Sequence, residues 1–373
     1  DTMSEWIFPT VIVALAIHYA YLLGSAATGF RRVAHSHGTS TETPAVSIVI
    51  PARNEEETIA ACIESVLAND YPLREVIVVD DRSSDGTAEI VRRYEPMVRL
   101  VQVTSSAEGR ATKKRALAAG VARATGTIIL TTDADCTVPP SWIRTMTSYF
   151  EPDVGMVTGP VLYRAADAPM ARLQALEFLG LVALGGGLVG IGRPHLCNSA
   201  NLAYRRSAYF DVGGYEGLEN VTTGDDEMLM HRIAFESPLE VRSCMSPAAA
   251  VETDPNDSLR SFIDQRRRWA SAHARYPHLR LTVTSVLCYL FYVAIAAAML
   301  VWTPAVAWTL AAAVGVKIGA EAAVLVPAAV HFGRGRLAPL LLPAQLIYIP
   351  YILAIGIAGT FGGYTWKGRR IQR

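Results

Sequence analysis

Apolar stretches at both ends of the chain bracket a polar middle, and they restrict it to folds in which terminal helices leave water. Residues 6–24 (WIFPTVIVALAIHYAYLLG) are long enough for a bilayer core, which needs about 20 residues of helix. Beyond residue 280 the chain is apolar again over 281–302, 305–331 and 338–363. Hydrophobic residues make up 51% of the 373 and charged residues 18%, with mean hydropathy +0.25, which suits a hybrid of membrane helices and a polar domain. The 34 basic and 34 acidic residues cancel, and no zinc or RNA-binding signature occurs, so nucleic acid is not an expected partner.

The flanks of the first run set an orientation. Asp1 and Glu5 precede it and Arg31 and Arg32 follow, so the basic side should face the cytoplasm. An uncleaved anchor is expected, because cleaved signal peptides start positive and have a shorter apolar core. Five scattered cysteines without a C-x-x-C pair support neither a disulfide framework nor a zinc site, in keeping with a reducing, cytoplasmic main domain. The three later spans pose a topological problem: HFGRGR (331–336) and the tail WKGRRIQR (366–373) are both basic and cannot both be inside if the last stretch crosses once. With Pro343 and Pro350 inside it, that stretch is expected to be bent or re-entrant. Lys317 and Glu321 sit one helical turn apart at mid-membrane depth, where an unpaired charge costs at least ~2.5 kcal/mol. A neutralising pair is expected, with head-group binding as the alternative.

From residue 45 the pattern changes. Short β-branched runs (VSIVIPA, EVIVVDD, RLVQV, GTIILTTDAD) alternate with helical ones (EETIAACIESVLA, DGTAEIVRRYE, KKRALAAGVARA), which predicts parallel βαβ units in a doubly wound α/β sheet. Such sheets bind ligands at the carboxyl ends of their strands. The polar clusters fall there: Arg53, Asn54 and Glu55 after the first strand, Asp80 and Asp81 after the second, Asp133 and Asp135 after the fourth.

Each cluster suggests a chemistry. Asp133 and Asp135 flank one small residue, so both carboxylates can offer hard oxygen ligands to a divalent cation that keeps substrate phosphates as others. Asp80 and Asp81 could accept hydrogen bonds from a nucleotide's base and ribose, or the DRSSDG run could simply cap a helix. Lys113, at a helix start, would set a cation near a diphosphate, or be a solvated residue. Asp225 and Asp226 open a later amphipathic helix, where they would cap its dipole or supply a general base.

Taken in order, these segments resemble the membrane-bound family 2 glycosyltransferases of the GT-A fold. IVIPARNEE, VVDDRSSDGT, KKRAL, TTDAD, TGDDE and QRRRW (265–269) match that family's sequence of motifs over residues 45–275. The resemblance implies a Rossmann-like, mostly parallel GT-A catalytic domain over 45–280, with interfacial helices near 170–190 and 257–277. An anchor (1–30), transmembrane helices (281–363) and a basic tail (364–373) would complete the chain. It implies that Pro51, Arg53, Asn54, Glu55, Asp80, Asp81, Lys113 and Asp133 contact a UDP-sugar, and that Asp135, with Asp133 nearby, holds Mg2+ or Mn2+. Asp226, rather than Asp225, would be the base of an inverting, single-displacement transfer. Gln265, Arg268 and Trp269 would line the acceptor and diphosphate side.

The small membrane portion favours one sugar transferred to a membrane lipid, in the manner of ceramide-glucosyltransferase-like enzymes of the plasma or inner membrane; a processive or short-oligomer polysaccharide synthase is the alternative. A nucleotidyltransferase is disfavoured because a G-x-G-x-R loop is missing where IPARNEE stands, and a transporter because the spans are few. In HLCNSANLAYRR (195–206), Asn198 and Asn201 are candidates for the substrate pocket. The apolar stretch 173–192 is expected to lie at the membrane interface and shape lipid access. Within QRRRWA, helical spacing puts Gln265, Arg268 and Trp269 on a catalytic face and turns Arg266 and Arg267 to lipid head groups.

Overall fold

The computed structural model describes residues 2–103, 112–218, 221, 223–273, 278–301, 303–361, 364–366 and 369–371. In chain order its elements begin with α1 (Thr2–Ala34), β1 (Val46–Ala52), α2 (Ile59–Leu67), β2 (Arg74–Asp80), α3 (Thr87–Arg92), β3 (Val98–Gln102), α4 (Thr112–Val121) and β4 (Ile128–Thr131). They continue with α5 (Trp142–Thr147), β5 (Val154–Thr158), β6 (Val161–Tyr163), α6 (Pro169–Val189), β7 (Leu202–Arg205), α7 (Arg206–Asp211), α8 (Asp225–Glu236), β8 (Glu240–Ser243) and β9 (Val251–Thr253). The helices α9 (Leu259–His273), α10 (Leu279–Ala298), α11 (Pro304–His331) and α12 (Leu341–Phe361) and the hairpin β10 (Tyr364–Trp366) and β11 (Arg369–Ile371) complete the chain.

The chain divides into two compact units, one of residues 31–165 and 185–255, the other of 1–30, 166–184 and 256–373. The first is an α/β unit around a seven-stranded sheet of order β3-β2-β1-β4-β7-β5-β8. The alternating pattern read from residue 45 becomes β1 to β4, all parallel, while β7 runs antiparallel to both β4 and β5. β1 is buried along nearly its whole length, which is why its sequence is a continuous apolar run rather than an alternating one. The order reverses at β1: the chain builds outward through β2 and β3, then returns to the other side of β1 as β4. The carboxyl ends of β1 and β4 therefore flank the switch point where ligands of open α/β sheets bind. Close packing behind the sheet depends on Gly120 of α4, where a Cβ would stand 2.4 Å from a Val49 methyl.

The second unit is helical. Among the described residues, five helical segments are long and apolar enough to cross a membrane: Trp6–Ala34, Pro169–Val189, Leu279–Ala298, Pro304–His331 and Gly335–Gly359. The 169–189 helix, expected at the interface, thus also qualifies by length and composition. The last stretch is one continuous helix from Leu341 to Phe361, not a re-entrant pair of halves. Pro343 falls in its first turn, where a missing N–H leaves no hydrogen bond unmade, and Pro350 is accommodated inside it.

Lys317 and Glu321 do pair, at 2.7 Å, inside a larger polar network. Gln345 of α12 accepts from Lys317 and donates to Glu321 at 2.8 Å, and the hydroxyls of Tyr19 (α1) and Tyr292 (α10) donate to Glu321 at 2.7 and 3.4 Å. One lysine–glutamate pair is thereby satisfied by side chains from three further helices. This answers in geometry the cost of placing charge among apolar helices.

Candidate active site

The loop after β1 is knitted to the loop after β2. Arg53 donates to the carbonyls of Asp81 and Arg82 at 2.6 and 3.1 Å, and its guanidinium lies 4.0 Å from the Asp81 carboxylate. Asn54 takes a left-handed backbone (φ 51°), donates its N–H to Ser83 Oγ at 3.0 Å and accepts from Ser84 N–H at 2.8 Å. Glu55 N–H donates to Thr87 Oγ1 at 2.8 Å. Asp80 and Asp81 are both buried at the end of β2. Asp80 accepts from Ser83 N–H at 3.1 Å, and Asp85 accepts from Thr87 N–H at 3.1 Å just ahead of α3, whose N-cap is Gly86 with no side-chain cap bond. Pro51 lies in β1 at the register of Val79, next to this loop pair.

The fourth strand delivers Asp133 and Asp135 to the same edge of the sheet. Asp133 is met by Lys113 from the first turn of α4: Nζ stands 2.7 Å from Asp133 Oδ1, 2.7 Å from Ser199 Oγ and 3.7 Å from Asp225 Oδ2. Lys113 therefore gathers the end of β4, the short 3-10 turn Ser199–Asn201 and the start of α8. Burial opposes its charge, but Asp133 and Asp225 outweigh that and hold its pKa above the usual lysine range. Burial raises the Asp133 pKa, Lys113 pulls it down and Asp135 pushes it up; the net direction is upward. Asp135 is exposed and, among the described residues, makes no ion pair.

Asp225 and Asp226 open α8 behind Gly224, whose left-handed backbone (φ 71°) suits glycine. Asp226 is held from two sides: its Oδ2 accepts from Ser199 N–H at 3.0 Å and its Oδ1 from Glu227 N–H at 2.9 Å. Burial, then the charge of Asp225, raises its pKa to about 6. A carboxylate poised there can take a proton from a hydroxyl near neutral pH.

Two contributors went unread in the sequence. Lys114, buried beside Lys113, donates to the carbonyls of Val221 and Thr223 at 2.6 and 2.7 Å, fixing the backbone just before the acidic pair. Ser199 links Lys113 to Asp226 through its hydroxyl and its N–H. Adjacent lysines project about 100° apart on a helix, so KK was a legible hint that one of them turns inward.

The asparagine candidates divide differently from the pocket reading. Asn201 is fully buried, accepts from Trp142 Nε1 at 2.9 Å and donates to the carbonyls of Pro160 and Ala249, both at 2.8 Å. With its amide consumed by the protein, it is a structural brace and not a pocket residue. Asn198 accepts from Ala200 N–H at 2.9 Å and caps the 3-10 turn.

Gln265, Arg268 and Trp269 lie on α9 in the helical unit. Gln265 accepts from Asn256 Nδ2 at 2.9 Å, and the Trp269 ring stacks on Phe178 at 5.8 Å between centroids. The expectation that Arg266 meets lipid head groups is overturned. Its side chain is 3% exposed, donates to Glu177 at 2.7 and 3.0 Å, and sits over the rings of Phe262 and Trp269 at 4.5 and 4.3 Å. A guanidinium combines a forked ion pair with ring stacking, and that drew it inward. Arg267 stays partly exposed, 3.9 Å from Asp264.

Residues 47–209 match the family model described as Glycosyl transferase family 2. The chain is similar to the poly-beta-1,6-N-acetyl-D-glucosamine synthase of Staphylococcus aureus, 26% identical over 235 residues that cover 61% of this chain and 54% of that one. It is also similar to the glycosyltransferase AglE of Haloferax volcanii, 28% identical over 175 residues, or 46% and 56% of the two chains. It thus spans about half the length of the curated relatives it matches. Among solved structures, the mannosyltransferase PcManGT of Pyrobaculum calidifontis, in complex with GDP-Man and Mn2+, shares the fold with a TM-score of 0.59 and 21% identity. That match covers 95% of this chain and 99% of that one.

Proposed function

We infer, from the premise that this chain is a family 2 glycosyltransferase through its domain at residues 47–209, that it transfers one sugar with inversion from a nucleotide sugar to a hydroxyl of a membrane lipid. The observation that carries this reading is the convergence on Lys113 of Asp133 and Asp225, with Asp226 held beside them at a pKa of about 6. A donor-binding edge and a proton acceptor meet there within one shell of hydrogen bonds.

In this mechanism the loops of Pro51, Arg53, Asn54 and Glu55 and of Asp80 and Asp81 hold the nucleoside of a UDP-sugar. Lys113 keeps its charge and stands beside the diphosphate. Asp226 accepts the proton of the attacking hydroxyl, oriented by the Ser199 and Glu227 N–H groups, while Lys114 keeps its loop in place. Gln265, Arg268 and Trp269 serve the acceptor side.

The acidic pair fits a divalent cation. Asp135 offers an exposed carboxylate and Asp133 a second, and among the described residues no cluster of three or more acidic, histidine or cysteine ligands forms, so substrate phosphates would complete the shell. Mg2+ or Mn2+ bound there would lend positive charge to the departing diphosphate. The catalytic domain is assigned to the cytoplasmic face of a plasma or inner membrane, in keeping with Arg31 and Arg32 in the last turn of α1.

A second reading, a polysaccharide synthase using the same site, is favoured by the similarity to the staphylococcal poly-N-acetylglucosamine synthase. Membranes bearing the full chain, incubated with labelled UDP-sugars and, because the fold is shared with a GDP-mannose-bound mannosyltransferase, with GDP-mannose, separate the two. Label in the organic phase supports lipid transfer; label in a polymer supports the synthase; no transfer from any donor overturns both.

A further inference from the structure

We propose that α6 is the template that sets the rotation of the QRRRW helix, and that Arg266 and Glu177 are its positioning residues. The proposal rests on the reading of Gln265, Arg268 and Trp269 as acceptor-side residues, and it adds what holds them there.

Three residues of α6 at i, i+3 and i+4 form one strip and grip α9 and the turn before it. Gln174 is almost fully buried; it donates to the carbonyl of Asn256 at 2.9 Å and accepts from that residue's N–H at 3.0 Å and Nδ2 at 3.1 Å. Asn256 Nδ2 in turn donates to Gln265 Oε1, which Arg266 also reaches. Glu177 receives the forked Arg266 guanidinium on Oε2, and its Oε1 accepts from the Tyr351 hydroxyl of α12 at 2.7 Å. Phe178 stacks on Trp269.

The motif's tryptophan thus touches α6 directly and its glutamine is linked to α6 through Asn256, while between them Arg266 adds a buried ion pair to Glu177. A helix held by packing alone can roll. One that carries a buried, forked ion pair loses a charge-assisted contact if it does, and leaves an uncompensated carboxylate behind. The pair therefore selects one rotation of α9, and with it the direction of Arg268 and Trp269. The apolar stretch read as a lipid-access surface has on this face a different task.

The test measures nucleotide-sugar affinity and steady-state transfer for the full chain in membranes, in the wild type and in Arg266→Ala, Arg266→Lys, Glu177→Ala and the double alanine variant. Loss of positioning should lower kcat about a hundredfold, the scale of a misplacement of about 1 Å, while donor affinity holds within about threefold. Arg266→Lys should recover only part of the rate, because an ammonium cannot reproduce the fork. The double variant should be no slower than either single one, since both remove the same contact. Wild-type kcat in Arg266→Ala, additive losses in the double variant, or equal loss of donor affinity would overturn the proposal. A wild-type chain that binds and transfers no sugar would instead sink the function on which it rests.

Discussion

Lys113 and Asp133 meet at 2.7 Å, and this one contact joins the first turn of α4 to the end of β4. Neither side chain is fully shielded, and the same ammonium also faces Asp225. Lys113 is therefore the positive centre about which the acidic residues of two separate motifs are arranged. Lys113→Met should lower transfer by about a hundredfold and weaken nucleotide-sugar binding, whereas Lys113→Arg should keep more of both. Steady-state kinetics with titration of the donor would check this; unchanged binding in the methionine variant would remove the lysine from the donor site.

Asp226 gives a prediction in pH. Burial and the charge of Asp225 raise its pKa to about 6, and only its anion can accept a proton. The kcat/KM of transfer should therefore be flat above that pH and fall about tenfold per unit below it. Asp226→Asn should abolish transfer while donor binding survives within a few-fold. A pH profile of the wild type beside equilibrium binding of the variant decides both, and a variant that still transfers would exclude Asp226 as the base.

Asn201 should matter for stability and little for chemistry. Asn201→Ala strands the Trp142 N–H and two carbonyls in the core, which costs about 1–3 kcal/mol for each group left unpaired. Thermal unfolding should show a lower midpoint, while the folded fraction binds nucleotide sugar as before.

The network around Glu321 predicts an asymmetry between single and double changes. Lys317→Met leaves Glu321 as an uncompensated charge among apolar helices and should destabilise by about 3–5 kcal/mol. Lys317→Met with Glu321→Gln removes both charges and should recover much of that loss. Melting in detergent of the three proteins compares them directly. A double variant less stable than the single one would mean that the charges bind something beyond each other.

What the sequence by itself determined is whatever depends on neighbours along the chain. The four leading strands could be read because period and β-branching are local, and the acidic strand ends because a doubly wound sheet puts every such end on one edge. The apolar runs became helices for an equally local reason, the length of the run. Asp133, Asp225 and Asp226 were legible on the same grounds, as carboxylates at element ends. What only the tertiary structure decided is which partner each polar group meets. Asn201 reads as a substrate-pocket candidate and Arg266, by helical face, as a head-group contact, yet both are buried, because Trp142 in one case and Glu177 in the other arrive from distant parts of the chain. Lys114 and Ser199 are hidden in the sequence for the same reason: the two carbonyls that Lys114 binds lie 107 and 109 residues away, and the carboxylate that Ser199 binds lies 27 residues away. Burial makes a polar group seek a partner wherever the fold supplies one, and sequence spacing carries no record of that choice.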